Sequence, residues 1–242
     1  MGGNNRKIAL GILALSLLMP FSVSFAKSVP ATPTPANSAL PDPDSLATRI
    51  ALRYGLSEFY KVDSIRYKFH LFYNGTNIDR EWTWFPKLDS VLYRGKDAKG
   101  MILNAAYSRR NTFSMASTTI VGIDQNFIND QYWLLFPLHL KWDKGLKFKV
   151  LAGKQPGEEY QLTVIYPANA GYTPGDAYDL FVDQAGIIKR WIFRKANAAE
   201  PTVMTGWSAP VKRGGLEISL DHPGPDKNFK LWFTDVKVGV TP

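Results

Sequence analysis

A chain whose side chains change sides at every residue can bury them only in a sheet, and this one does so early. Ile65, Tyr67, Phe69, Leu71 and Tyr73 alternate with Arg66, Lys68, His70 and Phe72. This is the two-residue period of a strand with one apolar face. Asn74-Gly75 follows, a pair that tolerates positive φ and so makes the tight turn of a hairpin. The chain returns through Ile78, Arg80, Trp82 and Trp84, with Asp79, Glu81 and Thr83 opposite, and Pro86 ends the run. Similar segments recur over Ser90 to Arg94, Met101 to Ser108, Leu146 to Leu151, Tyr160 to Tyr166, Tyr178 to Val182, Ile187 to Arg194, Val203 to Val211, Leu216 to Leu220 and Phe229 to Val238. About ten or eleven short strands, mostly hairpin-connected, predict a mainly β fold with an antiparallel sheet large enough to curl.

What precedes the strands is of a different kind. Arg6 and Lys7 lead into an unbroken run of apolar and small residues from Ile8 to Met19, Pro20 breaks it, and Ser24-Phe25-Ala26 sets small residues before a cut ahead of Lys27. Residues 1–26 therefore read as an export signal; the run is shorter than the ~20 apolar residues of a membrane span. Residues 27–44 hold Pro30, Pro33, Pro35, Pro41 and Pro43 among Ala, Thr and Ser, the composition of an extended tether. From Ser45 the composition turns globular, and 45–242 is expected to be one domain. The chain has no cysteine, which excludes disulfides, thiolate metal sites and a lipid-modified cysteine, and leaves stability to the core.

Two helices are expected. One runs from Ser45, placed to cap it, to roughly Phe59, with Leu46, Ile50 and Tyr54 near one face; Asp42 and Asp44 stand at its start, where acidic groups favour a helix N-terminus. The other includes the longest apolar run after the signal, Tyr132-Trp133-Leu134-Leu135-Phe136-Pro137-Leu138-His139-Leu140. Asp124 can cap a helix from Gln125 to about Phe136 that Pro137 ends, with a short strand after it. The competing reading is a buried strand from Tyr132 to Leu140; periodicity alone does not separate them.

Catalytic templates fail one after another. His70, His139 and His222 have no second histidine at metal-binding spacing. His70 and His139 read as structural, and His222, between Asp221 and Pro223, as a turn residue. There is no nucleophile elbow, P-loop or dinucleotide fingerprint. The carboxylate pairs Asp79 with Glu81, Glu158 with Glu159, and Asp176 with Asp179 fit solvated strand faces or turns better than a glycosidase cleft. No enzyme activity, cofactor or metal is expected. Without Arg6 and Lys7 the chain carries 27 basic and 21 acidic residues, a formal charge of +6. Nucleic acid is not an expected partner of an exported chain. Lys141, Lys144, Lys147, Lys149 and Lys154 suit either an anionic lipid surface or the solvent face of a strand around Phe148.

Aromatic residues make up 13% of the chain, including seven tryptophans spread over nearly every element. They fill a core, or they line a partly open concave face that binds an apolar ligand. Trp82, Trp84, Trp133, Leu134, Phe136 and Trp191 are the candidate cavity or lid residues. The segment Tyr166 to Asp176, with Pro174-Gly175 forcing a turn, is either a rigid long loop or a rim at the cavity mouth.

The order of elements, together with the stretches Asp130-Gln131-Tyr132-Trp133-Leu134-Leu135-Phe136-Pro137, Gly171-Tyr172-Thr173-Pro174-Gly175-Asp176 and Ile187-Ile188-Lys189-Arg190-Trp191, resembles the LolA-like lipoprotein-carrier superfamily, in an uncharacterised branch. That resemblance implies a curved antiparallel sheet, an incomplete, half-open barrel covered on its concave face by helices. It also implies a periplasmic location and an apolar cavity for a lipid, an acyl chain or an envelope lipoprotein. The Pro-rich tether and Glu81-Trp82-Thr83-Trp84 depart from the carrier pattern. An exported lipid- or acyl-binding protein is therefore the first expectation, and an envelope interaction module with a filled core the second. An enzyme acting on envelope glycans or lipids is the third.

Overall fold

The structure, a computed structural model, describes residues 39–97, 99–111 and 117–241. The expected export signal, 1–26, and most of the tether, 27–44, lie outside the described residues.

Helix α1 spans Pro43–Arg53. Its cap is Asp42, not Ser45: the Asp42 carboxylate accepts from the Ser45 backbone N–H at 2.8 Å. Proline opens the first turn, where its missing N–H costs nothing. The helix stops well before Phe59 because Gly55 sits at φ +97°, and a short 3-10 segment covers Leu56–Lys61. Leu46, Ala47, Ile50 and Ala51 are buried.

The strands form two antiparallel sheets. β1 (Val62–Tyr73), β2 (Thr76–Phe85), β3 (Ser90–Lys96) and β4 (Ile102–Ser108) follow one another as neighbours. β12 (Phe229–Val240) lies on the far side of β1, then β11 (Leu216–Pro223), then β10 (Ser208–Arg213). Together they make seven strands. The second sheet is a five-stranded meander of β5 (Lys147–Ala152), β6 (Tyr160–Ile165), β7 (Ala177–Val182), β8 (Ile188–Arg194) and β9 (Val203–Gly206). The hairpin at Asn74-Gly75 forms as expected, with Tyr73 opposite Thr76 and both turn residues at positive φ. The single strand expected over Val203 to Val211 divides at Trp207: β9 pairs with β8 and β10 pairs with β11. The chain changes sheets there. Neither sheet closes on itself among the described residues.

Helix α2 spans Thr118–Trp142 and departs from expectation at both ends. Ser117 caps it, accepting from the Ile120 N–H at 3.4 Å, and Asp124 lies inside the helix instead of opening it. Pro137 does not terminate it, and no strand follows at Leu138 to Leu140. Proline removes the N–H that would reach the Trp133 carbonyl, and the helix responds with a kink, Leu135 sitting at φ −126°, ψ 20°. The helix survives its proline because burial holds it. Every residue from Phe127 to Leu140 is buried, so the packing on all sides outweighs one lost hydrogen bond. Phe127 meets Trp82 and Trp84 of the larger sheet, and Phe136 meets Tyr178 and Trp191 of the smaller one. α2 thus fills the space between the two sheets.

Candidate functional site

An all-round apolar helix needs something to set its rotation, and three carboxylates do so, the buried Asp124 and Asp130 on α2 and the half-buried Asp143 at its end. Asp130, fully buried, accepts from Arg80 Nε and Nη2, each at 2.7 Å, from Trp82 Nε1 at 2.8 Å and from Asn129 Nδ2 at 3.1 Å. Burial works against the Arg80 charge, but the Asp130 carboxylate beside it outweighs this and holds its pKa above the ordinary value. Asp124 accepts from Arg109 Nε at 2.8 Å and from the Tyr107 hydroxyl at 3.1 Å. Asp143, just past the helix, accepts from the Tyr132 and Tyr166 hydroxyls at 2.6 and 2.9 Å. His139 Nδ1 lies 3.2 Å from it, and His139 Nε2 lies 2.8 Å from Gln131 Oε1. Burial tends to raise the Asp143 pKa, but the bonds from His139, Tyr132 and Tyr166 prevail and keep it below the ordinary carboxylate value.

The six candidate residues fall in two places. Trp82 and Trp84 stand on β2 against Phe127, with the Trp82 indole bound to Asp130. Trp133, Phe136 and Trp191 form a second group: Trp133 and Trp191 ring centroids are 4.3 Å apart, and Phe136 is 5.9 Å from Trp191. Leu134 is buried on the same helix. None of the six lines an open surface; five are buried and Trp84 is half-buried.

Beside the second group lies an unusual set of polar atoms. Trp191 Nε1, Thr205 Oγ1, Trp207 Nε1 and both ring nitrogens of His222 are buried and make no well-formed hydrogen bond among the described residues, although the main chain of Gly206 and Ser219 lies beside the His222 ring. They are neighbours. Thr205 stands opposite Trp191 across β8 and β9. The Trp207 ring is 4.3 Å from His222, and Trp133 is 5.6 Å from it. Buried polar groups are nearly always paired, and five of the ten unpaired side-chain atoms found among the described residues fall here, which makes this the candidate site. Burial pushes the His222 pKa down to about 3, although the main chain at Gly206 and Ser219 weakly favours the charged ring. The ring is neutral at physiological pH.

This group adjoins a surface hollow of about 460 Å³ lined by Phe72, Pro223, Phe229, Trp232, Lys227 and Lys230, among others. Phe229 belongs to both, since its ring also lies 6.3 Å from Trp133. His222, Trp207 and Thr205 escaped the sequence reading. His222 is not in a turn; it continues the inward face of Leu216, Ile218 and Leu220 on β11. That two-residue register was the signal that could have found it.

The other histidines are structural, as read. His70 bridges Asp79 at 2.6 Å and Thr234 at 2.8 Å. The loop from Tyr166 to Asp176 is tied down at its far end. Thr173 is buried and bound to Asp176 and, at 3.0 Å, to Tyr178, while Asp176 accepts from the Ala196 N–H at 2.7 Å. Lys147 and Lys149 point to solvent along β5. No helix among the described residues is long and apolar enough to cross a membrane.

No family model matches the chain, and no curated protein does. Among solved structures it is similar to a DUF1329 family protein from Desulfovibrio piger, with a TM-score of 0.44 and 9% identity over 84% of this chain and 95% of that one. It is also similar to a domain from Vibrio parahaemolyticus described as an outer membrane lipoprotein-sorting protein, with a TM-score of 0.43 and 12% identity over 81% of this chain and 91% of that one. Likenesses of this size carry no argument about function, which rests on the site itself.

Proposed function

We propose that the protein is exported to the periplasm and serves there as a binding protein, without a covalent step, for an acyl-bearing ligand held at the hollow beside His222 and Phe229. The observation that carries the reading is the group of five unpaired polar atoms on Trp191, Thr205, Trp207 and His222, set in the aromatic wall of Trp133, Phe229 and Phe233. Indole N–H groups only donate, and a neutral histidine and a threonine can each donate as well. Such a set suits a carbonyl oxygen. It does not suit a carboxylate, because a charge buried here would have no counter-ion, and His222 stays neutral. An ester or amide of a fatty acid fits, with its chain against the tryptophans. Residues 1–26, read as an export signal, support the exported location.

Gentle purification, organic extraction and mass spectrometry test this directly, followed by titration with a fluorescent acyl ester. Co-purified acyl lipid, or saturable uptake that His222→Phe and Trp207→Phe weaken, is the expected result. An empty extract together with no uptake defeats the proposal.

A second reading has one observation in its favour. The unbroken burial of α2 and its carboxylate pins are those of a fixed plug, as in an envelope interaction module with a filled core. Recovery of a protein partner without lipid supports it.

A further inference from the structure

Exposed apolar side chains on this protein gather on one hairpin. Among the described residues, four of the nine exposed large hydrophobic ones, Leu88, Leu92, Met101 and Ile102, lie on or beside β3 and β4, the hairpin at one edge of the larger sheet. Met101 is 66% exposed, Ile102 56% and Leu92 45%. Monomeric proteins seldom leave such residues together on the surface without a use.

Most of the charges around them are positive, and Glu81, which stands opposite Arg94, is taken up by Arg66. Ile102 stands opposite Lys96, Asn104 opposite Arg94, and Ala106 opposite Leu92, so apolar and cationic side chains share the outer face. Lys99 flanks Met101 in the connecting turn. The side chains of Arg94, Lys96 and Lys99 make no ion pair or hydrogen bond among the described residues, whereas Arg66 and Lys68 on β1 and Lys87 in the turn after β2 are paired. The acid in the turn, Asp97, is turned inward upon the backbone. Its carboxylate accepts from the Lys99 and Met101 N–H groups, each at 2.9 Å. The turn is thereby self-contained and presents Met101 outward.

Three free cations beside three exposed apolar side chains select the partner. A second copy of this chain would bring like charges together. A purely anionic polymer would leave Met101, Ile102 and Leu92 in water. An anionic lipid bilayer satisfies both features, the apolar groups entering the headgroup boundary and the cations meeting phosphate.

We infer that the β3–β4 hairpin docks this protein on anionic membrane surfaces. The site is separate from the proposed acyl site and does not depend on it. Flotation of the full mature chain with phosphatidylglycerol-containing vesicles, against pure phosphatidylcholine vesicles, tests it. Binding is expected to the first and not the second, and to be lost near 1 M salt, where the Debye length is ~3 Å. Lys96→Glu with Lys99→Glu lowers partitioning by about tenfold or more, and Met101→Asp with Ile102→Asp by about as much. Lys147→Glu with Lys149→Glu, on the edge of the other sheet, leaves it within about twofold. These positions are exposed, and unchanged circular dichroism verifies folding. The inference is overturned if the wild-type chain ignores the anionic vesicles, or if the Lys147 and Lys149 pair matters as much as the hairpin. It also falls if the Met101 and Ile102 change has no effect, or if the hairpin changes only abolish self-association.

Discussion

A neutral histidine sealed in a protein makes stability depend on pH in a calculable way, and His222 is such a residue. Its folded pKa is about 3, against ~6.5 in an unfolded chain. Between those values the unfolded state binds the extra proton, so stability rises with pH. The contribution is complete above about pH 6.5 and is lost as pH falls from there toward 3. At ~1.36 kcal/mol per pH unit the loss reaches about 2 kcal/mol at pH 5 and about 5 kcal/mol in full. The groups packed on the ring, Trp133, Trp207 and Phe233, are uncharged, and the adjacent Asp221 is 3.5 Å from Lys230, so no counter-ion reaches it. The perturbation is His222→Phe, compared with the wild-type chain by urea unfolding followed by tryptophan fluorescence from pH 7.5 to 4.5. Carboxylates that titrate in both proteins cancel in the difference. With no ligand the variant should be more stable at pH 7.5 by about 1–2 kcal/mol, since a buried polar ring without a well-formed hydrogen bond is gone, and its advantage should widen by about 2 kcal/mol at pH 5. Parallel curves across that range would show that the ring takes up its proton freely, and the sealed site would be wrong.

Other expectations are as specific. Trp133→Ala should cost about 3–5 kcal/mol as a large core truncation; if the acyl site is real, the same change weakens uptake of an acyl ester in the protein that remains folded. Gly55→Ala should cost about 2–4 kcal/mol, because a Cβ there would lie 2.5 Å from the Gly215 carbonyl oxygen at φ +97°. Gly75→Ala, at φ +83° over open space, should cost only about 1–2 kcal/mol, and thermal melts of the two variants rank them. Asp143 is held below the ordinary carboxylate pKa, so its contribution is present above about pH 4 and is lost as pH falls further; Asp143→Asn should remove that part of the acid transition.

The strands were legible because each signals itself locally. Ile65 to Tyr73, the Asn74-Gly75 turn and the return through Trp82 all stand where the alternation puts them. The ends of α2 were not legible, because local rules and burial disagree there. Pro137 reads as a stop, yet the helix continues to Trp142 with a kink, since the sheets enclose it. Asp124 and Ser45 look like caps, but Ser117 and Asp42 hold those places. Of the candidate site, Trp133, Phe136 and Trp191 do come together, as aromatics near the middle of such a chain would. The register of β11 marks His222 as inward-facing, but its meeting with Thr205 and Trp207 was hidden for a topological reason. They meet only because the chain leaves one sheet and joins the other at Trp207, and nothing in the local pattern announces that crossing.

The same contrast explains why a helix so apolar carries so many buried charges. A surface helix is oriented by its apolar stripe, but α2 is buried on every side from Phe127 to Leu140 and has no such stripe to follow. Rotating it would exchange one apolar contact for another at little cost. Asp130 removes that freedom, since only one rotation sets its two oxygens against Arg80, Trp82 and Asn129. Breaking the pair by Asp130→Asn should cost about 3–5 kcal/mol, because Arg80 is left buried without a counter-ion. Replacing both partners, Arg80→Met with Asp130→Leu, should recover most of that loss, because a buried pair gains little over well-packed apolar groups. What the double variant should lose is a unique packing. Its near-ultraviolet circular dichroism should weaken while its unfolding free energy stays within about 2 kcal/mol of the wild-type value. A double variant as unstable as Asp130→Asn would mean that the pair contributes net stability, and that the helix is oriented by its packing after all.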